Sequence, residues 1–189
     1  MVFTDIFEEN GPALTPFHGG FGLLTISGIK KPAYYAYQFL NQLGPTELKN
    51  PDPQSWVCRD THGGAQILLW DLTHPTGGTN ANQVYFRQPH PAPDQGTVTI
   101  KLTGVPPGKY QLQRWQVGYH HNDPCTTYLE MSSPGQLTRA QEQTLRNASR
   151  GEPETTEPLE IPASGEFTAE LPLRENDVQL LKLDPQKTP

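Results

Sequence analysis

Apolar positions in this 189-residue chain come in short runs broken by proline and glycine. Val2-Phe3-Thr4-Asp5-Ile6-Phe7 reads as a strand that stops at Glu8-Glu9-Asn10-Gly11-Pro12, because acidic residues followed by Gly-Pro cannot extend a ladder. A strand that starts at the second residue has no earlier element to pair with, so a distant or upstream segment is expected to cover it. Residues 13–29 form a glycine-rich loop around Pro16-Phe17-His18-Gly19-Gly20-Phe21-Gly22, whose glycines permit positive φ and close backbone approach. A helix is expected over 31–43: Pro32 suits the first turn, Ala33, Tyr34, Tyr37, Leu40 and Leu43 recur at three- and four-residue steps, and Gly44-Pro45 ends it. Its face of Tyr34, Tyr37 and Leu40 needs a large apolar surface, and would form an association-prone patch without one.

From Leu48 to Gln54, with Pro51 and Pro53 around Asp52, the chain reads as a linker, and beyond it the period changes from helical to two. Strands are expected at Ser55–Arg59, Ala65–Leu72, Val84–Arg87, Thr97–Leu102, Tyr110–Val117, Glu166–Leu173 and Val178–Leu183. One helix interrupts them, from about Thr138 to Ala148: Thr138 with Gln141 makes a capping box, and Leu137, Ala140 and Leu145 can face a core. Arg150 to Pro158 reads as an exposed acidic loop. Many short strands punctuated by turns indicate a mainly β protein, most simply a β-sandwich.

Composition narrows the function classes. Hydrophobic residues make up 34%, and 20 Pro with 17 Gly mark a turn-rich but folded chain. No apolar run approaches the ~20 residues needed to span a bilayer, so no membrane partner is expected. Met1 leads into Val2-Phe3 without a basic or apolar leader, which leans localisation towards the cytoplasm. The net charge of −6, with basic residues scattered, argues against nucleic acid. Cys58 and Cys125 stand far apart with no CxxC, compatible with one bridge or, more simply, two buried thiols.

Glu8-Glu9, at the end of an apolar strand, is the acidic pair that stands out. Neighbours on one strand point to opposite faces, so they cannot supply the two carboxylates, about 5–5.5 Å apart, that a retaining glycosidase sets across the scissile bond. One of them could still accept hydrogen bonds from sugar hydroxyls. Of the six histidines, none stands in a metal-ligand spacing, and His18, flanked by aromatics and glycines, is the one candidate ligand contact. The absence of a P-loop, a dinucleotide fingerprint and G-x-S-x-G implies no cofactor and no serine nucleophile. Trp56, Trp70 and Trp115 could stack on sugars, but each sits in a strand pattern where core packing is the simpler role.

Three blocks then become recognisable in order: Phe3-Thr4-Asp5-Ile6-Phe7-Glu8-Glu9, Pro16-Phe17-His18-Gly19-Gly20-Phe21-Gly22-Leu23 and Lys30-Lys31-Pro32-Ala33-Tyr34-Tyr35-Ala36-Tyr37. Together they closely resemble glycoside hydrolase family 39, the β-xylosidases. Trp115-Gln116-Val117-Gly118-Tyr119, Tyr128-Leu129-Glu130-Met131-Ser132-Ser133-Pro134 and Leu173-Arg174-Glu175-Asn176-Asp177-Val178 look like that family's β-sandwich, so the resemblance covers nearly the whole chain.

The resemblance implies a retaining enzyme with a (β/α)8 barrel followed by a β-sandwich, acting on xylo-oligosaccharides in xylan degradation. Residues 1–47 would be the last strand, loop and helix of the barrel, and 48–189 the accessory sandwich. The family's acid/base glutamate lies in an Asn-Glu-Pro motif that this sequence lacks, and its nucleophile belongs upstream of Met1. No catalytic residue is therefore assigned, and the chain alone is expected to be inactive, its partner being the missing N-terminal barrel portion. Phe7, Glu8 and Glu9 carry over as substrate contacts, with His18 on the following loop. The alternative is a stand-alone sandwich acting as a binding module without catalysis.

Overall fold

The period-two alternation is clearest in Phe167–Arg174, where Phe167, Leu171 and Leu173 are buried while Thr168, Glu170 and Pro172 face solvent. The computed structural model describes residues 15–18, 22–73 and 87–186. The opening strand candidate and most of Val84–Arg87 lie outside them, and Arg87 itself sits in a turn. In chain order the elements are α1 (Pro32–Leu40), β1 (Thr46–Glu47), β2 (Ser55–Arg59), β3 (Ala65–Trp70), β4 (Asp94–Leu102), β5 (Gly108–Val117), α2 (Pro124–Glu130), α3 (Arg139–Asn147), β6 (Thr155–Ile161), β7 (Phe167–Arg174) and β8 (Val178–Pro185).

Two compact units share the chain: one draws on 1–37, 73–92 and 117–151, the other on 38–72, 93–116 and 152–189. The second unit is the sandwich. Its larger sheet runs β1-β2-β3-β8-β5-β6, and its smaller sheet pairs β4 with β7. Ile67 and Leu69 of β3, Leu181 and Leu183 of β8, Tyr110 of β5 and Ile161 of β6 share one core with Ile100 of β4 and Phe167, Leu171 and Leu173 of β7. Each fully buried aliphatic contributes about 1.5–3 kcal/mol, so this double layer dominates the unit's stability. In β3 every residue from Ala65 to Leu69 is buried, because the strand is central and both its faces are covered. The fold is mainly β, and the alternation read from the sequence is kept in β7, whereas β3 is buried on both faces.

Four expectations need correction. Arg150–Pro158 is not all loop: β6 begins at Thr155 and pairs with β5, setting Pro158 opposite Gln111. An edge strand tolerates proline and keeps only Leu159 and Ile161 turned inward, which erased its alternation signal. The linker at 48–54 is preceded by the short strand β1, with Glu47 opposite Cys58. Pro124–Glu130 forms a helix that the periodicity did not reveal, although Asp123 caps it by accepting from Thr126 N and proline occupies its first turn. Trp56 does not belong to the core: it is 46% exposed, whereas Trp115 is buried.

α3 matches its expected span, with the Thr138–Gln141 capping box in place and Leu145 fully buried, but Ala140 is exposed. In α1, Tyr35 and Phe39 are the fully buried pair, four residues apart, while Tyr37 and Leu40 are exposed.

Polar side chains close the sandwich ends. Asp177, fully buried in the β7–β8 turn, accepts from Gln116 Nε2 at 2.9 Å and from Arg174 N at 3.0 Å, with Arg174 Nε at 3.5 Å. Truncating a buried ion-pair partner leaves the other groups uncompensated. Asp177→Ala is therefore expected to lower unfolding free energy by about 3–5 kcal/mol in urea titrations, and by more than Asp184→Ala in the half-exposed pair with Lys182.

Asp60, in the β2–β3 turn, accepts from His62 N at 2.7 Å, Gly64 N at 2.9 Å and Gln66 Nε2 at 3.0 Å. Burial pushes its carboxyl up, but the hydrogen bonds from Gly64, His62 and Gln66, with the nearby His62 charge, outweigh that and hold it below the usual carboxylate value. A carboxyl depressed in the folded state stabilises above its unfolded pKa of about 3.9, and that contribution is lost as pH falls through the lower folded value. Urea midpoints should thus decline below about pH 4, and Asp60→Asn should make that acid decline shallower.

Candidate functional site

Among the expected substrate contacts, Phe7, Glu8 and Glu9 lie outside the described residues, and His18 is half-buried. The ring before His18 fixes its place. Phe17 is buried, with its centroid 5.3 Å from that of Tyr128 and the planes tilted by 48°. Tyr128 donates to Pro134 O at 3.1 Å, and burial raises its phenol above the ordinary value. Ile29 and Leu145 complete this core, with Cys125, Leu129, Met131 and Leu137 packed around it. Two sequence blocks more than a hundred positions apart, at 16–23 and 128–134, therefore meet through the pair Phe17–Tyr128.

The segment after the glycine loop is held as firmly. Leu24 and Lys30 form an antiparallel bridge, Ile29 N donates to Thr25 Oγ1 at 3.1 Å, and Gly28 takes φ 72° in the turn between them. Arg146 of α3 reaches that turn, donating from Nη2 to Ser27 O at 2.5 Å while pairing with Glu142 at 2.6 Å. In α1, the Tyr35 hydroxyl donates to Ser149 O, and burial above all pushes its pKa up to about 12. Lys30 Nζ lies 5.0 Å from the Tyr34 ring centroid and 5.7 Å from that of Tyr35.

One cluster escaped the sequence reading. His120 Nε2 stands 3.2 Å from Glu130 Oε1, and the Tyr119 ring centroid lies 4.2 Å from the imidazole. The helix between them, α2, is flanked by His120, Asn122, Ser132 and Ser133, all at positive φ. Such backbone costs about 1–3 kcal/mol per residue and persists only where the surroundings enforce it. Asp123 does part of that enforcing, since Oδ1 accepts from Thr126 N at 3.1 Å and Oδ2 from His120 N at 3.4 Å. Adjacent histidines revealed nothing of this, because the pairing is with a residue on the far side of a helix.

Cys58 and Cys125 are both free thiols, and burial foremost raises each, Cys125 to about 12, so neither is a ready nucleophile. Among the described residues no three His, Cys, Asp or Glu side chains converge as metal ligands. What the described geometry offers is contact chemistry: His18 on a segment held through Phe17, and separately His120 with Tyr119 and Glu130 beside it.

A family model for glycosyl hydrolases family 39 matches residues 1–168. The chain belongs to glycosyl hydrolase family 39. It is 32% identical over 151 residues to a β-xylosidase of Caldicellulosiruptor saccharolyticus, covering 78% of this chain and 28% of that protein. A β-xylosidase of Geobacillus stearothermophilus is 26% identical over 183 residues, covering 97% of this chain and 32% of that one. Among solved structures, the family 39 enzyme of Xanthomonas axonopodis pv. citri superposes with a TM-score of 0.92 at 38% identity, covering 97% of this chain and 36% of that one. A monomeric β-xylosidase of Caulobacter crescentus CB15 gives 0.91 at 37%, covering 98% and 37%. This family 39 chain thus spans about a third of the relatives it matches.

The Phe17–Tyr128 contact generates a stability test. Phe17→Ala should lower stability by about 3–5 kcal/mol in thermal melts, whereas Tyr37→Ala, at a residue 52% exposed, should shift it by less than about 1 kcal/mol.

Proposed function

We propose that the chain is the closing third of a retaining β-xylosidase acting on xylo-oligosaccharides, with residues 1–47 ending the catalytic barrel and 48–189 carrying the accessory sandwich together with the α2–α3 segment set between its strands in sequence. One observation carries the reading: the family match spans residues 1–168, taking in Glu8-Glu9, α1 and most of the sandwich strands. In this reading Glu8 and Glu9 receive xylose hydroxyls as hydrogen-bond acceptors, Phe7 supports them, and His18 contributes a further polar contact from the following loop. Retaining hydrolysis needs an acid/base and a nucleophile on facing carboxyls about 5–5.5 Å apart. Residues 1–189 contain no Asn-Glu-Pro motif, and adjacent Glu8 and Glu9 cannot face one another, so this polypeptide contributes binding and not bond cleavage.

Two assays test this. Purified residues 1–189 should release p-nitrophenol from the aryl β-xyloside no faster than the Glu8→Gln, Glu9→Gln double variant; a clearly faster rate would place catalysis within this chain. In a polypeptide that carries the whole barrel, Glu8→Gln and Glu9→Gln should each reduce kcat/KM for xylobiose at least tenfold without unfolding the protein, since a positioned sugar hydroxyl loses its charged acceptor. Unchanged kinetics in both variants would remove them from the substrate site.

A further inference from the structure

Tyr128 grips the chain at two points just ahead of His18. Its ring packs on Phe17, with the centroids 5.3 Å apart, and the Thr15 side chain hydrogen-bonds its hydroxyl. Between those points stands Pro16, whose ring fixes φ at about −65°. The three residues before His18 are thus held by a hydrogen bond, a covalent ring and an aromatic contact. Gly19 and Gly20 follow His18 in sequence, and glycine restrains a backbone least, so a tether on the preceding side has the greater hold on where the imidazole stands.

The hydroxyl of Tyr128 needs a reason beyond packing. Tyr128 is 1% exposed in a core with Phe17, Ile29 and Leu145, where a phenyl ring would fill the same space with no polar atom to satisfy. Its hydroxyl donates to Pro134 O at 3.1 Å, and a hydroxyl has one proton to give, so Thr15 is the donor in the second bond. A satisfied buried polar group adds little net stability over an apolar one of the same shape, but it specifies one arrangement of its partners. Pro134 is brought into reach at a backbone cost: after α2 the chain turns through Ser132 at φ 65° and Ser133 at φ 49°, and Ser133 N donates to Tyr128 O at 3.2 Å. Strain of this kind persists only where the surroundings enforce it. α2 stands between β5 and β6 in sequence, yet it belongs to the compact unit that also holds residues 1–37.

We infer that Tyr128 is a positioning residue for substrate binding: through Thr15 and Phe17 it fixes the backbone ahead of His18, and with it the imidazole that meets the sugar. Buried as it is, Tyr128 touches no substrate and acts through His18. The inference rests on the proposed function in taking His18 as a sugar contact; the tether on residues 15–17 does not.

Two measurements test it. In proton–carbon correlation NMR spectra of residues 1–189, the His18 ring cross-peak, assigned by its loss in His18→Ala, should move in Tyr128→Phe and in Thr15→Val, while that of His62 in the β2–β3 turn stays in place. In a polypeptide that carries the whole barrel, Tyr128→Phe should lower kcat/KM for xylobiose at least threefold, and the double variant Tyr128→Phe, His18→Ala should fall no more than about twofold below His18→Ala alone. Such non-additivity marks action through His18, which a general loss of stability does not produce. Should Tyr128→Phe unfold, Thr15→Val removes the same bond from a half-buried residue and should give the same kinetics. A His18 cross-peak unmoved in the folded variants overturns the tether. Full multiplicative loss in the double variant overturns action through His18, as does wild-type kcat/KM in Tyr128→Phe and Thr15→Val beside a clear loss in His18→Ala. A moved cross-peak with wild-type kinetics in His18→Ala upholds the tether and removes His18 from the substrate contacts of the proposed function.

Discussion

A single buried amide organises the start of the sandwich. Gln66 lies in the central strand β3 and is 1% exposed, so its polar atoms must find partners within the protein. Its Oε1 accepts from Gly44 N at 3.0 Å, and its Nε2 donates to Asp60 Oδ2 at 3.0 Å. The chain leaving α1 is thereby fastened to the β2–β3 turn. Two glycines follow as a consequence. A Cβ on Gly44 would run into the Arg59 carbonyl and the Asp60 nitrogen, and one on Gly64 would strike Asp60 Oδ2 and the Leu183 carbonyl. With backbone this close, Gln66 is set opposite Lys182 of β8, and the register carries Ile67 and Leu69 into the core opposite Leu181 and Gln179.

The elements legible in the sequence are those whose signal is local. Phe167 to Leu173 alternates because one face is core and the other solvent, and Thr138 with Gln141 declares the start of α3 through a reciprocal pair three residues apart. β6 was illegible for the opposite reason: its ladder is supplied by β5, while Thr155, Thr156, Glu157 and Pro158 all face solvent. Trp56 shows the same limit at a single residue. A strand pattern says which residues alternate, but whether an outward residue such as Trp56 is then covered depends on segments distant in sequence.

The candidate contacts divide in a similar way. His18 was found through its glycine-rich, aromatic surroundings, and the structure supplies the cause of its fixed position: Phe17 has a partner ring, Tyr128, that no local pattern links to it. The His120–Glu130 pair had no signal of its own, since it joins the two ends of α2 and the chain enters that helix through His120 and Asn122, both in the left-handed region. Loop residues that carry contacts are placed by distant packing, and a sequence reveals them mainly where the same blocks recur in a known family.

The same dependence separates what a catalytic pair requires from what a contact residue requires. A retaining mechanism requires two carboxyls held across one bond, a geometry that only a closed barrel or an equivalent frame enforces. A contact residue has a weaker requirement: a donor or acceptor on a segment that is pinned somewhere. Phe17, packed on Tyr128, pins the segment that carries His18 in this way, inside a single compact unit. Pinning of this kind is available inside one compact unit, whereas two carboxyls facing across one bond are not a property of any single segment.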